Sequence, residues 1–138
     1  MTLRELNAHL KLVQELREMQ EIRSYLLSKA QPGAQRLTGM PHVGGVSDPT
    51  GELGAEIAEL RTAIDAKQRE VNASAAPVAA WIQTIQRYKT RFIFKQRYLN
   101  GLYWKEVAFM VGHGQTAGNV SKICYQYLGE EPEADEPR

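Results

Sequence analysis

Arg97-Tyr98-Leu99-Asn100-Gly101-Leu102-Tyr103-Trp104-Lys105-Glu106-Val107-Ala108-Phe109-Met110-Val111-Gly112 reads as the end of one helix, a tight turn and a second short helix. A third amphipathic segment, Thr116 to Leu128, follows directly. The spacing predicts a helix over Tyr103 to Val111 with Val107, Ala108 and Val111 turned inward. Ala108 supplies the small side chain that two closely crossing helices need at their contact. Gly112 and Gly114 offer the positive-φ freedom that an inter-helix turn demands. Thr116 is placed to cap the last helix, whose buried stripe is expected at Val120, Ile123, Cys124, Tyr127 and Leu128. This is the layout of a helix-turn-helix.

The face left over on the last helix carries Gly118, Asn119, Lys122, Tyr125 and Gln126. These side chains hydrogen-bond base edges and phosphates, and none is acidic. The N-terminal part of such a helix enters the major groove. Asn119 and Lys122 are therefore the first base-reading candidates, with Gln115, Ser121 and Gln126 in support. Phosphate contacts are expected from Arg87, Lys89, Arg91, Lys95, Arg97 and Lys105, with Thr116 and Tyr125. Arg87, Arg91 and Lys95 recur every four residues, which on one continuous helix places them on one face.

The charge distribution points the same way. Between Pro77 and Leu128 seven basic residues face one acid, Glu106, although the whole chain carries a formal charge of only +1. Positive charge concentrated in this way is the footprint of a phosphate-backbone binder, with a solvated cationic helix face as the lesser alternative. The segment 129–138 is strongly acidic, has no large apolar anchor, and is expected to be disordered.

Upstream, Thr2-Leu3-Arg4-Glu5 fits a capping box opening a helix to about Ser28, with an apolar stripe that drifts rather than keeping a strict heptad. Gln31-Pro32-Gly33 ends it, and Pro41, Gly44 and Gly45 predict an irregular stretch, 30–48 in all. Gly39 through Gly45 lacks the Gly-Lys-Ser/Thr of a phosphate loop. Asp48-Pro49 opens a second helix. From Leu53 the apolar steps alternate four and three residues, through Ile57, Leu60, Ile64, Val71, Val78, Trp81, Ile85, Tyr88 and Phe92. Lys67 and Ser74 interrupt them, and Pro77 is expected to kink the helix near Ala73 to Ala76. The expected fold is all-α: a long N-terminal helical hairpin or coiled-coil element over 1–76, then a three-helix DNA-binding unit over 77–128. Whether the hairpin closes within one chain or pairs two copies as a homodimer stays open at this point.

The run from Arg97 to Ala108 resembles the start of the region-four helix-turn-helix of bacterial sigma factors. It is more closely similar to small phage late-gene transcriptional regulators of the ArpU/RinA type. Gly114-Gln115-Thr116-Ala117-Gly118-Asn119-Val120-Ser121-Lys122-Ile123-Cys124 resembles a run in those proteins, as do Leu37-Thr38-Gly39-Met40-Pro41 and Ser47-Asp48-Pro49. The resemblance implies an activator that binds double-stranded DNA near phage late promoters in the host cytoplasm, acting through RNA polymerase. Tyr103 stands where sigma-like motifs usually place Ser or Thr, so that helix must find its cap elsewhere. The turn after Gly112 is two residues longer than in sigma factors.

Other classes have less to stand on. Cys124 is the only cysteine, so no intrachain disulfide forms, and its place on an apolar stripe suits a small buried hydrophobe. His9, His42 and His113 lack metal-ligand spacing, and no carboxylate pair or nucleophile with its base is evident. Neither metal, cofactor nor enzymatic activity is expected, and no apolar run is long enough for a membrane span. The rival readings are a small terminase subunit recognising a packaging site and a non-DNA helical adaptor.

Overall fold

The computed structural model describes residues 1–30 and 49–138. Every regular element among the described residues is helical: α1 (Leu3–Ala30), α2 (Pro49–Ile82), α3 (Tyr88–Phe94), α4 (Trp104–Val111) and α5 (Ala117–Leu128). A π-helical turn, Lys95–Leu99, continues α3. The expected irregular stretch, its Asp48 cap and the upstream signatures fall outside the described residues.

The first two helices form an antiparallel hairpin within one chain, and the two polar interruptions of the α2 stripe show how. Ser74 Oγ lies 2.6 Å from His9 Nδ1, while Lys67 Nζ reaches Glu15 at 3.2 Å and Glu70 at 3.7 Å. Each polar residue on the stripe thus meets a partner from α1 or its own helix. The Thr2–Glu5 box forms as expected, with the Thr2 amide donating to Glu5 Oε2 at 2.7 Å and the Glu5 amide to Thr2 Oγ1 at 3.2 Å. These bonds to Thr2 hold the Glu5 carboxyl below its usual range.

Helix α2 runs through Pro77 without interruption, since an exposed proline needs only one ladder bond forgone. The 4/3 pattern overruns the real helix end. At Ile82 the helix stops because the Thr84 hydroxyl and amide both take the Trp81 carbonyl, at 2.6 and 2.9 Å, replacing the α-helical bond.

A single core joins the hairpin to the three short helices. Leu3, Leu6 and Leu10 of α1 and Val78 and Ile82 of α2 pack with Ile85, Ile93, Phe94, Tyr98, Val107, Ala108, Val120 and Cys124. Each Leu or Ile so enclosed contributes about 1.5–3 kcal/mol. Position 76 is therefore no boundary in packing: the first turns of α1 complete the core of the C-terminal unit. An edge-to-face aromatic chain, Trp81–Phe94 at 5.2 Å and Tyr98–Trp104 at 6.3 Å between centroids, runs through it.

The π-helical turn decides what faces this core. Its Asn100 amide bonds back to the Lys95 carbonyl at 3.1 Å, one residue further than in an α-helix. The wider turn lets Gln96, Arg97 and Tyr98 all point inward, enclosed by α1, α2 and α4. Gly101 ends it at φ +71, and a Cβ there would meet Val13 Cγ1 at 2.5 Å. Only glycine suits both demands.

Candidate nucleic-acid interface

Helices α4 and α5 are joined by the turn Gly112 to Thr116 and pack together, with α3 against both. Val107 and Ala108 are buried and Val111 half-buried, as the periodicity requires. The turn glycines adopt φ 128 at Gly112 and φ 77 at Gly114. Thr116 caps α5, its Oγ1 accepting from the Asn119 amide at 3.1 Å. Tyr103 offers α4 no such hydroxyl. The cap comes instead from Glu106, whose Oε1 accepts from the Tyr103 amide at 2.8 Å.

That carboxylate has a second task. Arg17 of α1 grips it in a fork, Nη1 to Oε1 at 3.0 Å and Nη2 to Oε2 at 3.1 Å. Arg17 and the Tyr103 amide together hold the Glu106 carboxyl below its usual range. The only acid in the basic stretch is thereby neutralised and turned toward α1.

The outward face of α5 consists of Gly118, Asn119, Lys122 and Gln126, all exposed. Gln115 is half-buried at its foot. Ser121 is half-buried too, and its hydroxyl donates to the Gly118 carbonyl at 3.0 Å, so its proton is already committed. Tyr127 is 48 % exposed while its ring still contacts Phe94, with centroids 5.6 Å apart. Cys124 is buried as expected, and enclosure pushes its thiol well up.

Among the expected phosphate contacts, Arg87, Lys95 and Lys105 are exposed and Lys89 half-buried. They do not form one helical row: Arg87 precedes α3 in extended conformation, and Lys95 stands where the helix widens. Arg91 is partly occupied, donating to the Ile85 carbonyl at 2.9 Å with its guanidinium 5.3 Å from the Tyr88 ring centroid.

Arg97 and Tyr125 are corrections. Arg97 is fully buried, its guanidinium 4.4 Å from the Trp104 ring centroid, and Nη1 donates to the Leu102 carbonyl at 3.0 Å. It also donates to the backbone oxygens of Pro137, at 2.7 Å, and Arg138. A cation so placed holds the fold and touches no phosphate. Burial lowers its affinity for the proton, as expected where carbonyls and a ring replace water. Tyr125 donates its hydroxyl to Glu136, and burial with that carboxylate pushes the phenol up.

The same bonds overturn the expectation of a disordered tail. Residues 129–138 lie along the body, with Glu130 Oε2 accepting from the Leu3 amide at 2.9 Å and Glu133 to Asp135 bordering Arg4 and Lys11 of α1. Sequence pattern missed this because the anchors are two backbone oxygens and a buried arginine rather than apolar side chains. Glu130 and Glu131 border Lys122 and Gln126, so the acid-free end of the outward face of α5 is its N-terminal end.

Among the described residues no cluster of ligating side chains could hold a metal ion, and no helix is long and apolar enough to cross a membrane. Comparison with known proteins returns no matching family model, curated sequence or solved structure.

Proposed function

We propose that this chain is a transcriptional regulator of the phage late-gene type that reads duplex DNA through α5. The observation that carries the reading is the outward face of α5: Asn119, Lys122 and Gln126 are exposed, Glu106 is locked to Arg17, and Glu130 and Glu131 border only the C-terminal part of the face. In this reading Gln115, Asn119, Lys122 and Gln126 meet base edges, and Thr116 positions the helix end through its cap. Arg87, Lys89, Lys95 and Lys105 supply phosphate contacts, with Arg91 in part. RNA polymerase is the proposed downstream partner.

Pairing of two copies through the hairpin is part of the proposal. Ile22 and Tyr25, 52 % and 62 % exposed, lie toward the outer end of the arm and would be covered by it. Two arms would set two reading helices on one operator.

Selection of bound sites from a random duplex pool, followed by mobility-shift titration, tests the reading. Asn119→Ala and Lys122→Ala should weaken the selected site, each by about tenfold, while the phosphate-contact variant Lys95→Ala should lower the salt slope by about one. Unchanged affinity in both α5 variants overturns it.

A further inference from the structure

Duplex reading by α5 leaves the exposed apolar side chains of α3 and α4 without a role. Phe109 is 88 % exposed, Tyr88 68 % and Met110 48 %, values more typical of an interface than of a free helix face. Tyr88 and Phe92 of α3 and Met110 and Val111 of α4 wall an open groove between the two helices, with Lys89 and His113 at its rim. The two α3 rings stack, with centroids 6.2 Å apart at 28°, so that wall is continuous. Phe109 stands beside the groove on the outer side of α4, one helical turn after Lys105.

The charge around these side chains says what covers them. Among the described residues Arg87, Lys89 and Lys105 make no ion pair, and no acidic side chain lines the groove. Glu106, the sole acid of the region, is held by Arg17. A second copy docked by the same face would bring these cations together at an interface that dewets them. Duplex DNA would satisfy the cations but offers nothing apolar to Phe109 and Met110. A helix with an apolar stripe and acidic flanks answers both demands at once.

We propose that the α3–α4 groove docks an acidic amphipathic helix of a protein partner. Its apolar stripe lies along Tyr88, Phe92 and Met110, and its carboxylates meet Lys89 and Lys105. The groove reaches Gln115, the foot of α5, so the docked helix meets the proposed reading surface there and leaves Asn119, Lys122 and Gln126 uncovered. The inference does not depend on the DNA reading.

The test uses the full chain and a fluorescent helical peptide of about four turns, with Leu on one face and Glu elsewhere, beside a counterpart carrying Lys for Glu. Anisotropy should show the acidic peptide binding at least about tenfold tighter than the lysine peptide, and more weakly as salt rises. The double variant Phe109→Ser with Met110→Ser should lose about tenfold in peptide affinity while keeping its melting temperature and its affinity for duplex DNA. Lys89→Glu, at the half-buried rim of the groove, should weaken the acidic peptide and strengthen the lysine peptide. Equal binding of the two peptides, or wild-type binding by the double variant, overturns the proposal. So does light scattering that finds a dimer which the double variant splits, because the occupant is then a second copy. Loss of DNA binding in the α5 variants with peptide binding intact bears on the DNA reading alone.

Discussion

Replacing Arg97 by Ala separates a buried strut from a surface phosphate contact, two roles that demand opposite results. The side chain is fully enclosed, stacked on Trp104, and donates to the Leu102, Pro137 and Arg138 backbone oxygens. Truncation removes a stacking contact with a cation that is worth about 1–2 kcal/mol when desolvated. It also strips the Leu102 carbonyl of its charged donor, at about 1.5–3 kcal/mol. The Pro137 and Arg138 oxygens can turn to water, so losing those bonds costs less than losing the Leu102 bond. Relief of the buried charge offsets part of the loss. The net expectation is destabilisation by about 3 kcal/mol, a fall in melting temperature of roughly 10 °C for a chain of this size. Thermal and urea unfolding followed by circular dichroism measure it, with exposed Lys95→Ala as the control that should not move. Deleting 130–138 should cost less in the Arg97→Ala background than in the wild type, because both changes break the same bonds. An Arg97→Ala protein that melts like the wild type but binds DNA with a salt slope lowered by about one would refute the assignment.

Three further outcomes are expected. Gly101→Ala should destabilise by about 2–4 kcal/mol, from the left-handed backbone and the clash with Val13; in a Val13→Ala background, unfolding titrations should show that cost falling to about 1 kcal/mol. Burial lowers the His9 pKa below its ordinary value of 6.5, so the unfolded chain takes up a proton that the folded one resists. Stability should therefore hold above that value and fall as pH drops below it, and urea titrations from pH 7.5 to pH 5.5 should show His9→Gln losing this slope. Glu131 borders Lys122 and Gln126, and Glu131→Gln should raise duplex affinity severalfold at low salt and leave it nearly unchanged at high salt, read by mobility shift.

Much of the architecture was legible because it rests on local or periodic signals. The 4/3 spacing in α2 gave the hairpin face, and Lys67 and Ser74, which break it, turn out to be cross-helix partners of Glu15 and His9. The Thr116 cap and the Gly112 and Gly114 turn follow from side-chain and backbone chemistry within a few residues. What escaped is non-local. Arg97 was grouped with the surface cations by its charge alone, while the π-helical turn Lys95–Leu99 carries it inside. The tail follows from that error, since its anchor is the arginine so misplaced. The exposed side of α5 was legible from its periodicity except at Tyr125, whose occupation by Glu136 depends on the docked tail.

The most direct measurement is an amide NMR titration of the labelled chain with duplex DNA carrying the selected site. Shifts concentrated on Gln115 to Gln126 along the outward face of α5, with side-chain changes at Lys95 and Lys105, are the expected result. Shifts confined to the α1–α2 arm, or none at saturating duplex, would contradict the placement of the interface on α5.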